Sequence, residues 1–537
     1  MLSYRKLAMR VLGRPLHTGR IDSPRPASQR AAAFVLTAAM LITLAAPAFA
    51  DIWRIEDGDI TVKAGETEGT NKVSQGTNKD VVDTNTIITN SNKSTASSHT
   101  VTIDANGKNG KVEVTLKDVN IDTSSRNKAA VSVTGEGDTN IKLDGDNALK
   151  SDIYRSGIYG SGSLTISGGE NDSLTAQGGS GANGISSSGS LTISGGTVTA
   201  NGDDGGRGIS SSGSVTISGG STVTANGGSG TISGGDGICS SGGVTISGGS
   251  TVTANGGNGG SLVGGDGIRS GGGLTVSDGT VTAKGGNGDS KDGYGGDGIR
   301  SGGGVTISGN TVNAAGGYGG KVGGYGICSF DRVAISGGTV EAAGGNGSTG
   351  GGSGIYSSVI DLSGSLELTA KAGSPSGRAL SQKGSELVLD TIKDKLGPGA
   401  KVTATDADGK VIDQVSTPRP VEPEESSSSS DGGSAAPSAP ASPLPGLTVT
   451  DKDGQRISYT STQSGNTLTV CVGRFTASFR ISLAALRQLR AEGIETITFQ
   501  TILCSTTLSV DELLAMGGED AEAVLTHRFT DSSLTVG

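Results

Sequence analysis

The chain has few aromatic residues and few histidines for its length. Of 537 residues, only 3% are aromatic, and Trp53 is the single tryptophan. A chain with so little large apolar side-chain material is a poor match for a large globular core, and it lacks the broad aromatic platform common in sugar-binding proteins. The three histidines, His17, His99 and His527, lie far apart in the sequence and form no visible catalytic or metal-binding cluster.

Proline is also scarce, which limits how the 95 glycines can be interpreted. Collagen requires glycine at every third position together with abundant proline, whereas here glycine clusters in pairs and only 13 prolines are present. The calcium-binding β-roll requires Gly-Gly-x-Gly-x-Asp, and in the nearest match, residues 285–289, the aspartate falls one place early. The glycines therefore belong to neither of these repeat classes.

Cysteine is limited to four residues, and their positions restrict disulfide pairing. Cys239 and Cys328 occupy the same place in a repeat described below. They are three turns apart, which is about 14 Å at the usual strand spacing, and a disulfide cannot span that distance. Cys471 and Cys504 lie in two predicted strands near the C-terminus, where a disulfide in an exported protein and two free thiols are both compatible with the sequence.

The sequence does contain one repeated phrase, between about residues 157 and 356. The phrase consists of Gly-Ile, a few small polar residues, Thr-Ile-Ser-Gly-Gly and Thr-Val-Thr-Ala, as in residues 184–202. A repeat of this kind predicts a stacked solenoid. Fainter copies near Val131 and Leu380 bring the expected number of turns to about ten. The repeated isoleucine recurs every 24 to 31 residues, at Ile158, Ile185, Ile209, Ile238, Ile268, Ile299, Ile327 and Ile355.

Each turn contains three short segments in which apolar and polar residues alternate, such as residues 185–187, 191–194 and 197–200. Alternation puts Ile, Leu or Val on the inward side of a strand and Thr or Ser on the outward side. Gly-Gly pairs between the segments supply the corners. The sequence thus predicts an all-β fold, a right-handed, three-faced parallel β-helix, followed by a linker and a small α+β domain.

The N-terminal segment is typical of a signal peptide. A basic lead is followed by an apolar run, residues 31–46, and by the small-x-small cleavage pattern Ala48-Phe49-Ala50; an uncleaved membrane anchor is the alternative. Removing residues 1–50 takes away seven basic residues and one acidic residue, which changes the formal net charge from −10 to about −16. Such an acidic chain argues against nucleic-acid binding. We therefore expect a secreted, extracellular protein, with or without cell-surface association, that has no integral membrane association after cleavage.

Five parts are expected along the chain. In order, they are a signal peptide (1–50), an N-terminal β cap with the first turns (51–130), the parallel β-helix repeats (131–416), a Pro/Ser-rich linker (417–446) and a small α+β domain (447–537). The linker composition cannot form a core. In the last part we predict one helix from Ser482 to Glu492 and a second that starts at Ser509, with Glu512 completing a capping box.

Three aspartates directly precede Gly-Ile in consecutive turns: Asp236, Asp266 and Asp297. Stacked one turn apart, like charges repel each other unless a cation or a basic group lies between them. One interpretation is a calcium site, because carboxylate and backbone oxygens suit that ion. The alternative is a solvated loop edge that is partly neutralised by nearby arginines.

Arg269 and Arg300 directly follow the isoleucine in two of these turns. Because the isoleucine points inward, the arginines are expected to point outward, where two stacked guanidinium groups can hold the uronate carboxylates of an acidic glycan. Pairing of the arginines with the aspartates is the alternative. Four nearby tyrosines offer faces for sugar stacking or are ordinary loop residues: Tyr294, Tyr318, Tyr325 and Tyr356.

Stacked copies of Gly-Ile-x-Ser-x-Gly-x-Leu-Thr-Ile-Ser-Gly-Gly-x-Val-Thr-Ala resemble the secreted carbohydrate-binding β-helix proteins of clostridia and related gut bacteria. Residues 112–125 and 141–151 are similar to the first segment of those proteins, and the resemblance covers about residues 51–400. It implies carbohydrate binding and, for some members, calcium binding by aspartates beside the Gly-Ile step. Only some turns of this chain have an aspartate there.

We therefore expect a non-catalytic protein that binds a polysaccharide, either a cell-wall or a host glycan, with acidic polysaccharide and calcium as the specific hypothesis. One alternative is a structural surface protein or adhesin in which the solenoid is a spacer. Another is a polysaccharide lyase or hydrolase, in which Asp and Arg on one face abstract a proton and stabilise the resulting charge. A repeated residue is usually structural, whereas a catalytic set is normally unique, and this favours binding.

Overall fold

The computed structural model contains two compact units, one within residues 1–423 and one within residues 424–537. The predicted signal peptide, and all of the predicted linker except its ends, lie outside the residues that the structure describes. The described residues are 52–106, 111–418, 446–451, 455–457, 459–464, 466–472, 476–501, 505–517, 521–527 and 532–536.

The first unit is a parallel β-helix of about 13 turns, which corrects the prediction of about ten. The additional turns come mainly from N-terminal residues that lack the repeated phrase but whose strands pair in register with the repeats. Ile60–Ala64 pairs in parallel with Val101–Asp104, which in turn pairs with Val131–Thr134. The phrase marks only the most regular turns, so counting it underestimates the length of the solenoid.

A regular turn contributes one strand to each of three faces. The first face contains Ile60–Ala64, Val101–Asp104, Val131–Thr134, Ile158–Gly160, Ile185–Ser187, Ile209–Ser211, Ile238–Ser240, Ile268–Ser270, Ile299–Ser301 and Leu380–Gln382. The second face contains Ile52–Arg54, Ile87–Thr89, Lys111–Lys117, Asp138–Asp144, Leu164–Ser167, Leu191–Ser194, Val215–Ser218, Val244–Ile246, Leu274–Val276 and Val305–Ile307. Two longer strands run from the first face into the second, Ile327–Ile335 and Ile355–Leu362. The third face contains Asn120–Asp122, Asp146–Lys150, Ser173–Ser180, Thr197–Asp203, Thr222–Asn226, Ser250–Asn255, Gly279–Lys284, Thr311–Ala315, Gly338–Ala343, Leu366–Lys371 and Lys401–Thr405.

Antiparallel strands lie on the terminal strands of the solenoid. Asn71–Gln75 pairs with Ile60–Ala64, and Asn78–Asp83 pairs with Asn71–Gln75. At the other end, Val411–Ser416 pairs with Lys401–Thr405. These strands occupy edges on which another chain could otherwise pair. The remaining elements of this unit are Ser385–Glu386, antiparallel to Leu380–Gln382, and the 3-10 helices Ile55–Asp57 and Leu389–Lys395.

Columns of aliphatic side chains fill the interior. The eight repeated isoleucines are fully buried, and each lies in register with the isoleucine of the next turn, as Ile238 does with Ile268. Each such side chain contributes about 1.5–3 kcal/mol when it is removed from water. The columns therefore stabilise a chain whose glycine content alone would favour disorder.

The serine of the Gly-Ile-x-Ser segment also points inward, which corrects the expected outward position of serine. It lies two residues after the isoleucine and so shares the isoleucine's side of the strand. Ser240 and Ser270 are almost fully buried, and their hydroxyls donate to the carbonyls of Gly213 and Gly242 in the preceding turn, at 2.8 and 3.1 Å. This column satisfies carbonyl groups at the corner between the first and second faces.

Glycine-rich loops join the third face to the next first-face strand, and their backbones form a hydrogen-bonded column that we call the glycine stack. The Gly265 N–H donates to Gly257 within one loop, and the Gly286 N–H donates to Gly265 of the preceding turn, both at 2.8 Å. A Cβ at Gly265 would lie 1.9 Å from the Gly235 oxygen, so close backbone approach requires glycine there. The series runs through Gly206, Gly228, Gly235, Gly257, Gly265, Gly286, Gly296, Gly317, Gly324, Gly345, Gly352 and Gly373.

The described part of the second unit contains two four-stranded sheets and two helices, α1 (Leu483–Ala491) and α2 (Val510–Met516). Both helices begin at the predicted serines, since Ser482 Oγ accepts the Ala485 N–H at 3.2 Å and Ser509 Oγ accepts the Glu512 N–H at 3.4 Å, which is one of the two bonds of a capping box. Neither helix, nor any other in the described residues, has the length and apolar character needed to cross a bilayer. One sheet contains Leu447–Thr450, Ala477–Ser482, Glu522–His527 and Ser532–Val536, and the other contains Thr460–Ser464, Thr467–Cys471, Thr496–Gln500 and Ser505–Ser509.

The cysteines in the described residues are free thiols. For Cys239 and Cys328 this agrees with the prediction from their separation. Cys471 Sγ lies 3.4 Å from Oε1 of Gln500, while Cys504 lies outside the described residues. Of the two possibilities for Cys471, the structure has the free thiol.

Candidate binding site on the first face

Asp236, Asp266 and Asp297 form one column, the aspartate column, directly before three consecutive first-face strands. Each residue is at most 5% exposed, so the solvated loop edge is wrong. The side chains are buried because they point along the solenoid axis and bond the next turn. Asp236 Oδ1 accepts the Asp266 N–H at 2.9 Å, and Asp266 Oδ1 accepts the Asp297 N–H at 2.8 Å.

The second oxygen of each carboxyl group faces an arginine, which was one of the two arrangements expected for the arginines. Sequence reasoning missed Arg207, because this residue occupies, in its own turn, the place that aspartate has in the next turn. The Arg207 side chain reaches across one turn to Asp236. The only sequence signal for this contact is that an arginine, rather than an aspartate, precedes Gly-Ile in that turn. The pairs are Arg207 Nε with Asp236 Oδ2 at 3.1 Å, Arg269 Nη1 with Asp266 Oδ2 at 3.9 Å, and Arg300 Nη1 with Asp297 Oδ2 at 3.2 Å.

Burial changes the protonation of the aspartate column. Burial, together with the charges of Asp297 and Asp236, raises the pKa of Asp266 to about 8. Burial also raises the pKa of Asp297, to about 6, although the hydrogen bond from the Tyr325 N–H and the nearby Arg300 oppose this. These shifts favour the protonated form of Asp266, which reduces the negative charge that faces Arg269.

A cavity of about 310 Å³, the arginine cavity, opens beside this column. Arg207, Arg269 and Arg300 line it together with Asp236, Asp266 and the glycine-rich loops. Its volume falls at the lower end of the about 300–1,000 Å³ typical of ligand sites. The three guanidinium groups face three carboxyl groups, because Asp297 lies opposite Arg300. Burial favours the neutral form of Asp266 and so reduces the negative charge that opposes the arginines.

Two of the predicted tyrosines continue the columns of the site. Tyr325 takes the aspartate position in the turn after Asp297, and its N–H donates to Asp297 Oδ1 at 2.7 Å. Tyr356 lies in the outward column two turns beyond Arg300. The rings of Tyr325 and Tyr356 stack with their centroids 4.9 Å apart. The pair forms a partly buried aromatic end to the aspartate and arginine columns.

The other two tyrosines differ in position. Tyr294 is exposed and pairs with Val263, which lines the arginine cavity, so the structure brings Tyr294 to the edge of the site. Tyr318 belongs to another column, in which its N–H donates to Asn287 Oδ1 at 2.9 Å. The structure therefore separates Tyr318 from the residues that line the cavity.

Phe330 is an aromatic neighbour that sequence reasoning missed. Its ring is exposed, and the Arg300 Cζ lies 5.4 Å from the ring centroid, within the range of a cation–π contact. Phe330 lies where a single strand bends from the first face into the second and the repeated phrase is lost, so the repeat carried no signal for it.

The structure places no group of three or more His, Cys, Asp and Glu side chains so that it could hold a metal ion, within the described ranges. Asp266 and Asp297 already bond backbone N–H groups with one oxygen and face arginines with the other. Calcium binding stays a prediction. Burial raises the pKa of Cys239 to about 11 and that of Cys328 to about 12, so both thiols beside the column are protonated and weakly nucleophilic.

No protein-family profile, no curated protein and no solved structure matches this chain.

Proposed function

We propose that the chain is a non-catalytic binding protein whose first face takes an acidic polysaccharide of the polyuronate type. The observation that carries this proposal is the arginine cavity, which three guanidinium groups of successive turns line and in which burial favours the neutral form of Asp266. Guanidinium groups bind carboxylates through two parallel hydrogen bonds. Arg269 and Arg300 are in register one turn apart, about 4.8 Å, which suits a ligand with repeated carboxylates.

The same geometry favours an anion over a cation. Guanidinium groups repel Ca²⁺, and the oxygens of Asp266 and Asp297 already have partners. We therefore propose that glycan binding here does not depend on calcium. Isothermal titration of the full chain with CaCl₂ is expected to give no heat and no shift in melting temperature. A calcium-dependent shift that disappears in Asp266→Asn/Asp297→Asn would restore the calcium interpretation.

Retention on a polygalacturonate affinity gel tests the anion site directly. Arg269→Ala/Arg300→Ala is expected to abolish the mobility shift that wild type shows, because it removes the guanidinium groups that bind the carboxylates of the ligand. The matched control is Arg54→Ala/Lys142→Ala, which removes two exposed positive charges from the second face. Unchanged retention of the arginine variant, or equal loss in the control, would contradict a specific site.

Salt and ligand charge test whether the attraction is electrostatic. Added salt screens exposed charges, so wild-type retention is expected to fall as ionic strength rises. A neutral glucan gel is expected to retain neither wild type nor variant.

Incubation with pectins tests the lyase alternative. It is expected to yield no unsaturated product, and product formation would establish the lyase alternative instead.

A spacer role for the solenoid is the second candidate, and the division into two compact units favours it. In that case the second unit carries the binding surface. A glycan array probed with wild type and with Arg269→Ala/Arg300→Ala decides between the candidates, because the spacer role leaves the binding pattern of the variant unchanged.

The proposal includes export, which the leader in residues 1–50 supports. N-terminal sequencing of protein recovered from the medium is expected to begin at Asp51. Recovery only in the cell with Met1 retained would contradict export.

A further inference from the structure

A second and larger cavity, of about 690 Å³, lies on the first face toward the N-terminal end of the solenoid. We call it the tyrosine cleft, because Tyr154 and Tyr159 line it and are 77% and 43% exposed. Large exposed rings beside hydroxyl and amide groups are typical of sites that take ligands with both apolar and polar faces. The polar groups of the lining include those of Asn127, Ser132, Asn183 and Ser186.

The backbone holds Tyr154 in an unfavourable conformation at this place. Its φ is +60°, in the left-handed region that tyrosine rarely adopts. Asn127, which also lines the cleft, has a φ of +51°, which asparagine adopts readily. The Tyr154 ring lies close to Gly181, where a Cβ would come within 2.9 Å of Cδ1 and Cε1. Strained residues of this kind concentrate at ligand sites, where the surrounding structure fixes the side chain in place.

The cleft has an excess of positive charge. The Arg155 Nε donates to Asn127 Oδ1 at 3.3 Å, and no carboxylate of the described residues forms an ion pair with this guanidinium group. Lys128 and Arg126 share the single carboxylate of Asp59, at 3.0 and 2.8 Å. The charged residues that line the cleft are Lys128 and Arg155, and both are cations, which favours an anionic ligand.

The two cavities lie next to each other along the first face. Tyr159 and Arg269 occupy the same outward column of the first face, four turns or about 19 Å apart. Between them, Asn183 lines the tyrosine cleft and Arg207 lines the arginine cavity, and the Arg207 N–H donates to Asn183 Oδ1 at 2.8 Å. The two cavities therefore adjoin at neighbouring turns.

We propose that the tyrosine cleft is a second sugar-binding site and that one acidic polysaccharide chain runs along the first face through both cavities. Sugar rings stack on Tyr154 and Tyr159, while uronate carboxylates meet Arg155 in the cleft and Arg269 and Arg300 in the arginine cavity. The inference rests on the proposed function for the ligand class, but the cleft is a separate site. Joining two sites through one ligand multiplies their affinities, because the second contact becomes intramolecular.

Titration of the full chain with digalacturonate, which is too short to span the about 19 Å between Tyr159 and Arg269, counts the sites. Wild type is expected to bind two molecules, and both Tyr154→Ala/Tyr159→Ala and Arg269→Ala/Arg300→Ala are expected to bind one. With long polygalacturonate, each double variant is expected to lose at least about 100-fold in affinity, the lower end of the gain from joining two sites. Tyr154→Phe/Tyr159→Phe keeps the rings and is expected to bind like wild type. Melting temperatures check that each variant is folded.

The outcomes separate this inference from the proposed function. If Tyr154→Ala/Tyr159→Ala keeps wild-type stoichiometry and polymer affinity while the arginine variant loses both, the cleft is not a sugar site and the arginine cavity stands. If the arginine variant binds like wild type and the tyrosine variant does not, the arginine cavity is wrong and the cleft stands. A third outcome is that each variant loses one digalacturonate site but keeps a polymer affinity within about 100-fold of wild type. In that case, the proposal that one polymer chain spans both cavities is wrong.

Discussion

The carboxyl group of Asp266 bonds the next turn with Oδ1 and faces Arg269 with Oδ2. The first contact requires only an acceptor, whereas the second depends on charge. Asparagine keeps the acceptor oxygen but cannot ionise, whereas alanine removes both the acceptor oxygen and the ionisable group. Substitution at this one position therefore separates the structural role of the aspartate column from its electrostatic role.

Asp266 is expected to make the solenoid less stable as pH rises. Its pKa is raised to about 8, whereas an unfolded aspartate titrates near pH 4. Between these values the folded chain holds a proton that the unfolded chain has released, so the free energy of unfolding falls as pH increases through this window. Asp266→Asn is expected to flatten that slope in denaturant titrations at pH 5, 7 and 9.

Asp266→Ala is expected to cost about 1–3 kcal/mol at pH 5, where the wild-type carboxyl group is protonated, because the buried Asp297 N–H loses its acceptor. Asp289→Asn, at an exposed position, is the control and should leave the slope unchanged. A slope that persists in Asp266→Asn would place the titration at another group.

Glycan binding is expected to weaken above about pH 8 for the same reason. Ionised Asp266 adds a negative charge beside the arginine cavity and competes with the ligand for Arg269. In gel retention on polygalacturonate at pH 7 and pH 9, wild type should bind less at pH 9, and Asp266→Asn should bind equally at both. A loss at pH 9 in both proteins would argue against Asp266 as its origin.

At the residue scale, the sequence indicated which positions share a column but not where their side chains reach. Asp236, Asp266 and Asp297 were correctly stacked, because the period fixes register. Their burial was missed, because it depends on side chains that point along the axis into the next turn. Arg207 was missed for the same reason, since its partner Asp236 lies one turn away.

Among the larger elements, the glycine stack depends on close approach of backbones. Gly265→Ala is expected to destabilise the solenoid by at least about 3 kcal/mol, the upper end for overpacking a core, because the new Cβ would lie 1.9 Å from the Gly235 oxygen. Gly350→Ala is the matched control in an equivalent loop, where the nearest atoms, from Val322, are 3.8 Å away. Its effect should stay within about 0.5 kcal/mol. If the two substitutions lower the free energy of unfolding equally in urea titrations, the glycine stack does not stabilise the loops.

The elements with strict periodicity were the ones that the sequence predicted well. The inward isoleucines and both helix caps in the second unit agree with the structure, because each follows from a local spacing rule. The glycine stack was not predicted. Its glycines looked like corner residues, and their pairing involves loops of different length in neighbouring turns.

On the scale of the whole molecule, the two compact units are expected to respond differently to acid. His527 in the second unit is fully buried, its Nε2 contacts Thr506 Oγ1 at 2.9 Å, and its Nδ1 has no hydrogen-bond partner among the described residues. Burial lowers its pKa, so below about pH 6.5 the unfolded unit takes up a proton first.

The melting temperature of the second unit should therefore fall between pH 7 and pH 5, and His527→Gln should remove this dependence. Calorimetry of the full chain at both pH values provides the measurement. An acid shift that is unchanged in His527→Gln would point to another group.

The extent of the solenoid could be predicted only in part. The repeated phrase gave about ten turns of the about 13 in the structure, because strands such as Ile60–Ala64 keep the inward apolar pattern without the phrase. The cavities depend on how successive loops stack over the first face, and a period in sequence does not specify that path.

The glycine stack also affects how a protease can bind the loops. Proteases bind a substrate as an extended strand, through its free backbone N–H and C=O groups and through side chains that enter specificity pockets. In the glycine stack from Gly206 to Gly373, backbone N–H and C=O groups already form hydrogen bonds with each other. Glycine also has no side chain that could enter a specificity pocket. A surface whose composition suggests easy cleavage is thus expected to resist digestion for as long as the turns remain stacked.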